Sequence, residues 1–106
     1  LKSVCSLIIL YKPDVTITSK CINSLSNQVN EIFLIDNSKK NHKKIFNKYN
    51  VRYIHTGKNI GIAAAQNLGI SEIRKKKYKF VILSDQDTNF NDLYSMIDNL
   101  TNKLGM

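Results

Sequence analysis

The sequence predicts an α/β fold in which a parallel sheet carries helices on both faces. Four short apolar runs, at residues 4–11, 31–35, 51–55 and 80–84, alternate with segments whose apolar residues recur at helical spacing. Strands that alternate with helices are joined by right-handed crossovers, which makes the strands parallel and distributes the helices over both faces. At 106 residues the chain fits one domain with one modest core.

The strand sequences also indicate where each strand lies. Residues 4–11 (VCSLIILY) are almost entirely apolar, which is typical of a strand buried on both faces. Residues 51–55 (VRYIH) alternate between apolar and polar, which favours a position near the edge of the sheet. A Pro13-Asp14 pair ends the first strand, and Asp14 is a suitable N-cap for the helix that follows.

Four helices are predicted from apolar spacing. The first follows Asp14, the second is rich in lysine, the third runs from Ile62 to about Lys77, and the last ends near the final residue. The apolar positions that define the first, second and last helices are Ile17, Cys21, Ile22 and Leu25; Ile45, Phe46 and Tyr49; and Leu93, Met96, Ile97, Leu100 and Leu104.

Composition excludes several classes of protein. A hydrophobic fraction of 42% and a charged fraction of 23% argue against disorder, and no apolar run is long enough to span a membrane. Cys5 and Cys21 lie in a strand and on an apolar helix face, so we expect buried thiols in a reducing, cytoplasmic compartment. His42 and His55 have no ligand-type neighbours in sequence, which predicts ordinary surface or loop roles.

The net charge of +8 is high for this length. Solvated helix faces explain it most simply, while attraction to an anionic membrane surface remains an alternative. A nucleic-acid partner is not expected, because no aromatic residues are interleaved with the cations as a base-stacking platform requires. Two clusters supply much of the charge: Lys39, Lys40, Lys43, Lys44 and Lys48, and then Arg74, Lys75, Lys76, Lys77 and Lys79.

Polar residues stand where the predicted strands end. In open parallel sheets, ligands bind beyond the carboxyl ends of the strands. Three of the four exits carry a carboxylate, although the protein has only eight acidic residues. This concentration predicts a site for a metal-bound, hydroxyl-rich ligand. The four exits are Tyr11-Lys12-Pro13-Asp14, Asp36-Asn37-Ser38, Lys58-Asn59-Ile60-Gly61 and Asp85-Gln86-Asp87.

Asp85 and Asp87 are the sharpest local feature of these exits. Two carboxylates at i and i+2 after a buried strand supply the hard oxygen ligands that Mg²⁺ or Mn²⁺ uses when it bridges to substrate phosphates. The alternative is plain turn chemistry, since aspartate is common in the turn after any strand.

The segment 59–69 (NIGIAAAQNLG) predicts a close approach of a helix to the sheet or to a ligand. Gly61 permits a tight entry into the helix, and the alanines with Gly69 leave little bulk on it. Asn67 lies at helical spacing from the alanines, so its amide is expected in the same crevice. An alanine-rich helix packed on the sheet, with Asn59 as its cap, is the alternative. The usual glycine-rich phosphate cradles are absent from the sequence, so a metal would have to hold any diphosphate.

Four motifs follow one another along the chain, at residues 9–14 (ILYKPD), 34–38 (LIDNS), 59–67 (NIGIAAAQN) and 83–87 (LSDQD). Together, and in this order, they resemble the family 2 glycosyltransferases of the GT-A fold. The resemblance covers almost the whole chain, and the third and fourth motifs most resemble bacterial rhamnosyltransferases. It implies that residues 1–106 are the nucleotide-sugar-binding part of a glycosyltransferase domain, truncated before the half that holds the acceptor and the catalytic base.

The resemblance also implies roles for individual residues. Tyr11 and Asp36 would contact the nucleotide base, Asp36 through a ring N–H. Asp87 would ligate the metal, and Asp85 would approach the ribose or the metal. Two positions depart from the pattern of the family: Lys12 stands where asparagine commonly follows the tyrosine, and lysines follow Ser38. Both departures concern the contacts with the nucleotide base. The implied nucleotide-binding residues are Tyr11, Asp36, Asn59, Gly61, Asn67 and Asp85, and the implied metal ligands are Asp87 and Asp85.

The activity that the resemblance implies is a metal-dependent inverting transfer from a nucleoside-diphosphate sugar, dTDP-rhamnose or a UDP-sugar. The acceptor would be a glycan or a lipid-linked molecule in bacterial cell-surface polysaccharide synthesis, at the cytoplasmic side of the membrane. The catalytic base is expected downstream of Met106, so these residues alone are expected to bind a donor and transfer nothing.

Two other classes are less well supported. A receiver-type signalling module needs an acidic pair after the first strand and a phosphorylatable aspartate after the third. Those places hold Tyr11-Lys12 and Thr56-Gly57. A basic nucleic-acid-binding domain has only the net charge in its favour.

Overall fold

The computed structural model describes residues 3–88 together with Asn99 and Lys103. In that part of the chain, strands and helices alternate as the sequence predicts. The apolar positions of the predicted last helix lie outside the described residues. The elements are β1 (Val4–Leu10), α1 (Val15–Ser26), β2 (Glu31–Asp36), α2 (Lys43–Phe46), β3 (Val51–His55), α3 (Ile62–Ile73) and β4 (Phe80–Asp85).

The four described strands form one parallel sheet in the order β3-β2-β1-β4. The predicted α/β class and the edge position of β3 are therefore confirmed. Leu10 pairs with Asp36, Asp36 with His55, and Ile9 with Asp85, so the carboxyl ends of all four strands meet at one edge. We call this the carboxyl edge.

Side chains leave the sheet on two faces. On the first, which we call the α1 face, Ile8, Leu10 and Leu34 pack against α1 and the buried Phe46 of α2. On the second, the α3 face, Leu7, Phe33 and Ile35 pack against α3. Because successive residues of a strand point to opposite faces, one residue of register decides which layer a side chain joins.

Helix α1 begins as predicted but buries a slightly different stripe. The Oδ1 atom of Asp14 accepts a hydrogen bond from the Ile17 amide at 3.0 Å, which confirms the predicted N-cap. Cys21, Ile22 and Leu25 are buried, but Ile17 is 46% exposed and Thr18 takes its place. Positions 18, 21, 22 and 25 form one continuous stripe at the 3.6-residue period, whereas position 17 lies at its margin.

The second and third helices are shorter than predicted. Helix α2 is a single turn, Lys43–Phe46, and Tyr49 lies beyond it. Helix α3 ends at Ile73 instead of near Lys77, because the Lys76 amide bonds to the Ile73 carbonyl in a tighter i to i−3 turn. In the described part of the chain, no helix is both long enough and apolar enough to cross a membrane.

Gly69 explains the close packing of α3 on the sheet. A Cβ atom at this position would lie 2.8 Å from Cδ2 of Leu7, closer still to Cδ1, and 3.2 Å from Cγ1 of Ile35. Both neighbours belong to the α3 face of the core. The predicted role of Gly69, a close approach of the helix to the sheet, is thereby confirmed, and it brings the first turn of α3 to the carboxyl edge.

Candidate functional site

An open cleft of about 770 Å³ lies at the carboxyl edge, on the α3 face. Its floor is formed by Leu7 and Ile9 of β1 and Leu83 of β4, three side chains that leave the sheet on that face. The polar wall comes from the strand exits and from the start of α3. The predicted site residues that line the cleft are Tyr11, Asn59, Gly61, Asp85 and Asp87.

The Asp85-Gln86-Asp87 turn is fixed to the first strand by its middle residue. The carboxamide of Gln86 accepts a hydrogen bond from the Tyr11 amide at 3.0 Å and donates one to the Tyr11 carbonyl at 3.1 Å. It thereby acts like a further peptide group and extends the pairing of β1 with β4 beyond Ile9 and Asp85. Asp85 and Asp87 stay exposed on either side of it.

The donor set at this turn suits a divalent cation shared with phosphate. Magnesium and manganese commonly take one or two protein carboxylates and complete their shell with water and phosphate oxygens. Asp85 and Asp87 supply two carboxylates on one cleft. Within the described residues, no group of three or more histidine, cysteine, aspartate or glutamate side chains could hold a metal. The residues therefore fit a cation held jointly with a diphosphate better than one held by the protein alone.

Asn37 organises the opposite wall of the cleft. Its Oδ1 atom accepts hydrogen bonds from the Ile60 amide at 2.9 Å and the Thr56 hydroxyl at 3.2 Å. Its Nδ2 atom donates to Oδ1 of Asn59 at 2.9 Å. Asn37 is buried and lines the cleft, although it is not among the site residues predicted from the sequence. The available signal was an amide directly after a buried strand.

Gly61 begins α3 in a conformation that favours glycine strongly. Its φ of 87° and ψ of 154° lie in a region that residues with a Cβ atom almost never adopt. The Gly61 amide bonds to Oδ1 of Asn59 at 2.9 Å. Gly61 itself is the N-cap, and no side chain caps the helix. The first turn of α3, which includes Ile62 in the cleft wall, is thus a helix N-terminus without a capping side chain.

The amide that α3 contributes to the cleft is Gln66 and not Asn67. Gln66 lines the cleft together with Ile62, one helical turn earlier, whereas Asn67 is exposed and is not among the lining residues. Successive residues of a helix are rotated by about 100°, so Asn67 lies on the next face around the helix. The expectation that Asn67 shares the crevice is corrected accordingly.

Asp36 lies at the carboxyl edge, but its side chain is on the α1 face and does not line the cleft. It is fully buried. Its Oδ1 atom accepts a hydrogen bond from the Ser38 amide at 3.1 Å. Its Oδ2 atom lies 2.6 Å from Nδ1 of His42 and accepts a short hydrogen bond from the Tyr53 hydroxyl. Because the carboxylate is fully buried and does not line the cleft, a contact from Asp36 to a nucleotide base would require the residues around it to move.

His42 is a buried partner of this carboxylate, so the prediction of an ordinary surface or loop role was wrong. Its amide also donates to the Tyr53 hydroxyl at 2.8 Å. Burial, and then the bond to Asp36, raises the pKa of Tyr53 well above its usual range, so the hydroxyl remains a donor at neutral pH. We call Asp36, His42 and Tyr53 the Asp36 cluster. His55 is the last residue of β3 and is half-buried, with Nε2 2.9 Å from the Ser38 carbonyl oxygen, so it lies in a strand and not in the predicted surface or loop position.

Both cysteines are free and buried, as predicted. Burial, followed by the nearby Glu31 carboxylate, raises the pKa of Cys5 to about 11. Burial likewise raises the pKa of Cys21. The two thiols are therefore protonated at neutral pH.

The sequence of the chain matches a known protein family. The family model described as Glycosyl transferase family 2 matches residues 6–103, which is most of the chain and includes every cleft residue named above. None of the curated proteins compared with the chain matches it.

Replacing Tyr53 by phenylalanine tests whether the Asp36 cluster supports the fold. Tyr53→Phe removes a hydroxyl that donates to a buried carboxylate and accepts from the His42 amide. A hydrogen bond to a charged group is worth about 1.5–3 kcal/mol, so the free energy of unfolding in urea should fall by about 2 kcal/mol. The control is Tyr49→Phe, a partly buried tyrosine packed on the same face. Equal and small losses in the free energy of unfolding of the two variants would contradict a stabilising role for the Asp36 cluster.

Proposed function

The chain belongs to glycosyl transferase family 2, and from that premise we propose that the cleft at its carboxyl edge binds the nucleoside diphosphate of a sugar donor. The observation that carries the proposal is the convergence on one cleft of two exposed carboxylates, an exposed tyrosine and an uncapped helix N-terminus. Each of these groups matches a different part of such a donor.

The diphosphate is assigned to the side of the cleft where α3 begins. The amides of an uncapped helix N-terminus bind anions, because they are unpaired donors at the positive end of the helix dipole. Gly61 and Ile62 lie there, opposite Asp85 and Asp87. We propose that Mg²⁺ or Mn²⁺ is held by these two carboxylates and by the phosphates, where it would neutralise charge on the leaving diphosphate.

The base is assigned to the Tyr11 side. Tyr11 is 44% exposed, and its ring offers an amphipathic surface on which a uracil or thymine ring can stack. The Lys12 ammonium lies 5.4 Å from the centre of that ring. The backbone φ of Lys12 is 43°, in the left-handed region that asparagine tolerates better than lysine. We propose that Asp36 does not contact the base directly but holds the exit of β2 in place from the other face of the sheet. Its neighbour Asn37 is the residue of that exit that faces the cleft.

The reaction that we propose is an inverting displacement. The hydroxyl of a glycan or lipid-linked acceptor attacks the sugar as the nucleoside diphosphate leaves, and a general base takes the hydroxyl proton. In its narrower form, the proposal is transfer of a rhamnosyl group in the synthesis of bacterial surface polysaccharide. The support for this form is the resemblance of residues 61–67 and 85–87 to bacterial rhamnosyltransferases. We assign no general base to the described residues, since the carboxylates that line the cleft already serve the donor.

A lipid-linked acceptor would bring the protein to a membrane surface, and one cluster of cations suits that contact. Lys39, Lys40, Lys43, Lys44 and Lys48, which we call the α2 lysines, are all exposed. Within the described residues none of them forms a salt bridge, whereas Lys75 and Lys76 pair with Glu72 and Glu31. Each lysine near an anionic lipid surface contributes about 1 kcal/mol of attraction. We therefore propose the α2 lysines as the membrane-facing cluster.

Vesicle binding tests the membrane proposal. The protein should be retained on vesicles with anionic lipid at low salt and released at high salt, because this attraction is screened. Replacing the α2 lysines by glutamine should abolish retention. In the matched control, the five cations of the second cluster, at positions 74, 75, 76, 77 and 79, are replaced instead. The anionic vesicles should retain more of this variant than of the variant that lacks the α2 lysines. Equal partitioning onto neutral and anionic vesicles would instead leave the charges as solvated surface residues.

Titration calorimetry with a nucleoside diphosphate tests the donor site. Uridine or thymidine diphosphate should bind about tenfold more tightly with Mn²⁺ than without it, since one cation would be shared by two protein carboxylates and the phosphates. Asp87→Asn keeps the shape of the side chain and removes a charged ligand, so it should abolish most of this gain. The matched control is Glu72→Gln, a carboxylate at the far end of α3. Metal-independent binding that Asp87→Asn leaves unchanged would rule out the proposed site.

A further inference from the structure

We propose that Cys21 is a positioning residue for the Asp85-Gln86-Asp87 turn. Its thiol reaches the turn from α1, behind the cleft, and holds the backbone on which both carboxylates stand. The inference rests on the proposed function, in which these carboxylates bind the cation and the diphosphate. The thiol also packs in the core of the α1 face, and the proposed chemistry does not otherwise use it.

The contact is made at the point where β4 becomes the turn. Cys21 is 1% exposed, and its Sγ atom lies 3.5 Å from the Asp85 carbonyl oxygen. It also lies 3.9 Å from the Ser84 hydroxyl, which itself donates to the Asp85 carbonyl at 2.9 Å. The Thr88 amide closes the turn on the same oxygen at 3.3 Å. Three donors thus converge on one carbonyl.

This carbonyl controls the direction of the whole turn. It belongs to the peptide plane that joins Asp85 to Gln86, and Gln86 is already tied to the Tyr11 backbone. The turn is therefore held at two points, by Gln86 toward β1 and by Cys21 from beneath. Metal–oxygen distances tolerate changes of only about 0.2 Å, so a small rotation of this plane separates the two carboxylates from a common cation.

A purely structural role for Cys21 is the alternative, and Cys5 provides the matched comparison. Cys5 is also a free, fully buried thiol, but it lies on β1 in the core of the α3 face. Truncating either cysteine removes one sulfur atom from a packed core. The two truncations should therefore cost similar stability, whereas only the loss of Cys21 should disturb the turn.

The experiment compares Cys21→Ala, Cys21→Ser and Cys5→Ala in the full chain. Three quantities are measured: the free energy of unfolding, the affinity for uridine or thymidine diphosphate with Mn²⁺, and the affinity for the same nucleotide without metal. Cys21→Ala should weaken the Mn²⁺-dependent binding by about tenfold, as the loss of a residue that orients metal ligands does. It should leave metal-free binding within about twofold. Cys21→Ser keeps a hydroxyl donor and should restore most of the affinity, and Cys5→Ala should change neither affinity.

A fourth variant guards against a loss of folding. Cys21→Val fills the same space without a donor, and it should show the same tenfold loss as Cys21→Ala. The inference is overturned if the Cys21 variants bind like Cys5→Ala, or if serine fails to restore binding. Asp87→Asn separates this outcome from failure of the donor site. If it abolishes the metal dependence while Cys21→Ala and Cys21→Val do not, only the inference fails. If the unaltered protein shows no metal dependence, the metal site and the inference fail together.

Discussion

The alternation of side chains along the parallel strands is the constraint on which the rest of the structure depends. All four strand exits meet at the carboxyl edge, but each residue there faces either the α1 or the α3 face. Tyr11 and Asn37 line the cleft on the α3 face, whereas Asp36 is buried on the α1 face with His42 and Tyr53. A shift of one residue would exchange these roles and place a carboxylate among the apolar side chains beneath the cleft.

Side-chain amides give the cleft its shape where the regular backbone pairing ends. Gln86 pairs with the Tyr11 backbone, and Asn37 pairs with Asn59 and with the segment before α3. These bonds join the exit of β1 to that of β4, and the exit of β2 to that of β3, without using any charged group. The carboxylates of the proposed cation site, at Asp85 and Asp87, consequently remain exposed, and an open site of this kind suits a donor that brings its own phosphates.

Much of the fold and part of the candidate site could be predicted from the sequence. The apolar runs located every described strand, and the rule that ligands bind at carboxyl ends selected Tyr11, Asn59, Gly61, Asp85 and Asp87, all of which line the cleft. The roles proposed for them remain predictions. The face on which the Asp36 side chain lies depends on the register of β2. Whether Gln66 or Asn67 lines the cleft depends on about 100° of rotation around the helix. The burial of His42 depends on a contact with Tyr53, eleven residues away. None of these leaves a periodic signal in the sequence.

The most direct test of the proposed cation site is the location of a manganese ion in the presence of a nucleoside diphosphate. Bound Mn²⁺ broadens the amide NMR signals of nearby residues, so the broadened signals report where the ion lies. We expect broadening centred on residues 85–88, extending across the cleft to Gly61 and Ile62, and removed by Asp87→Asn. Broadening centred on Asp36 and His42, on the α1 face, would contradict this expectation.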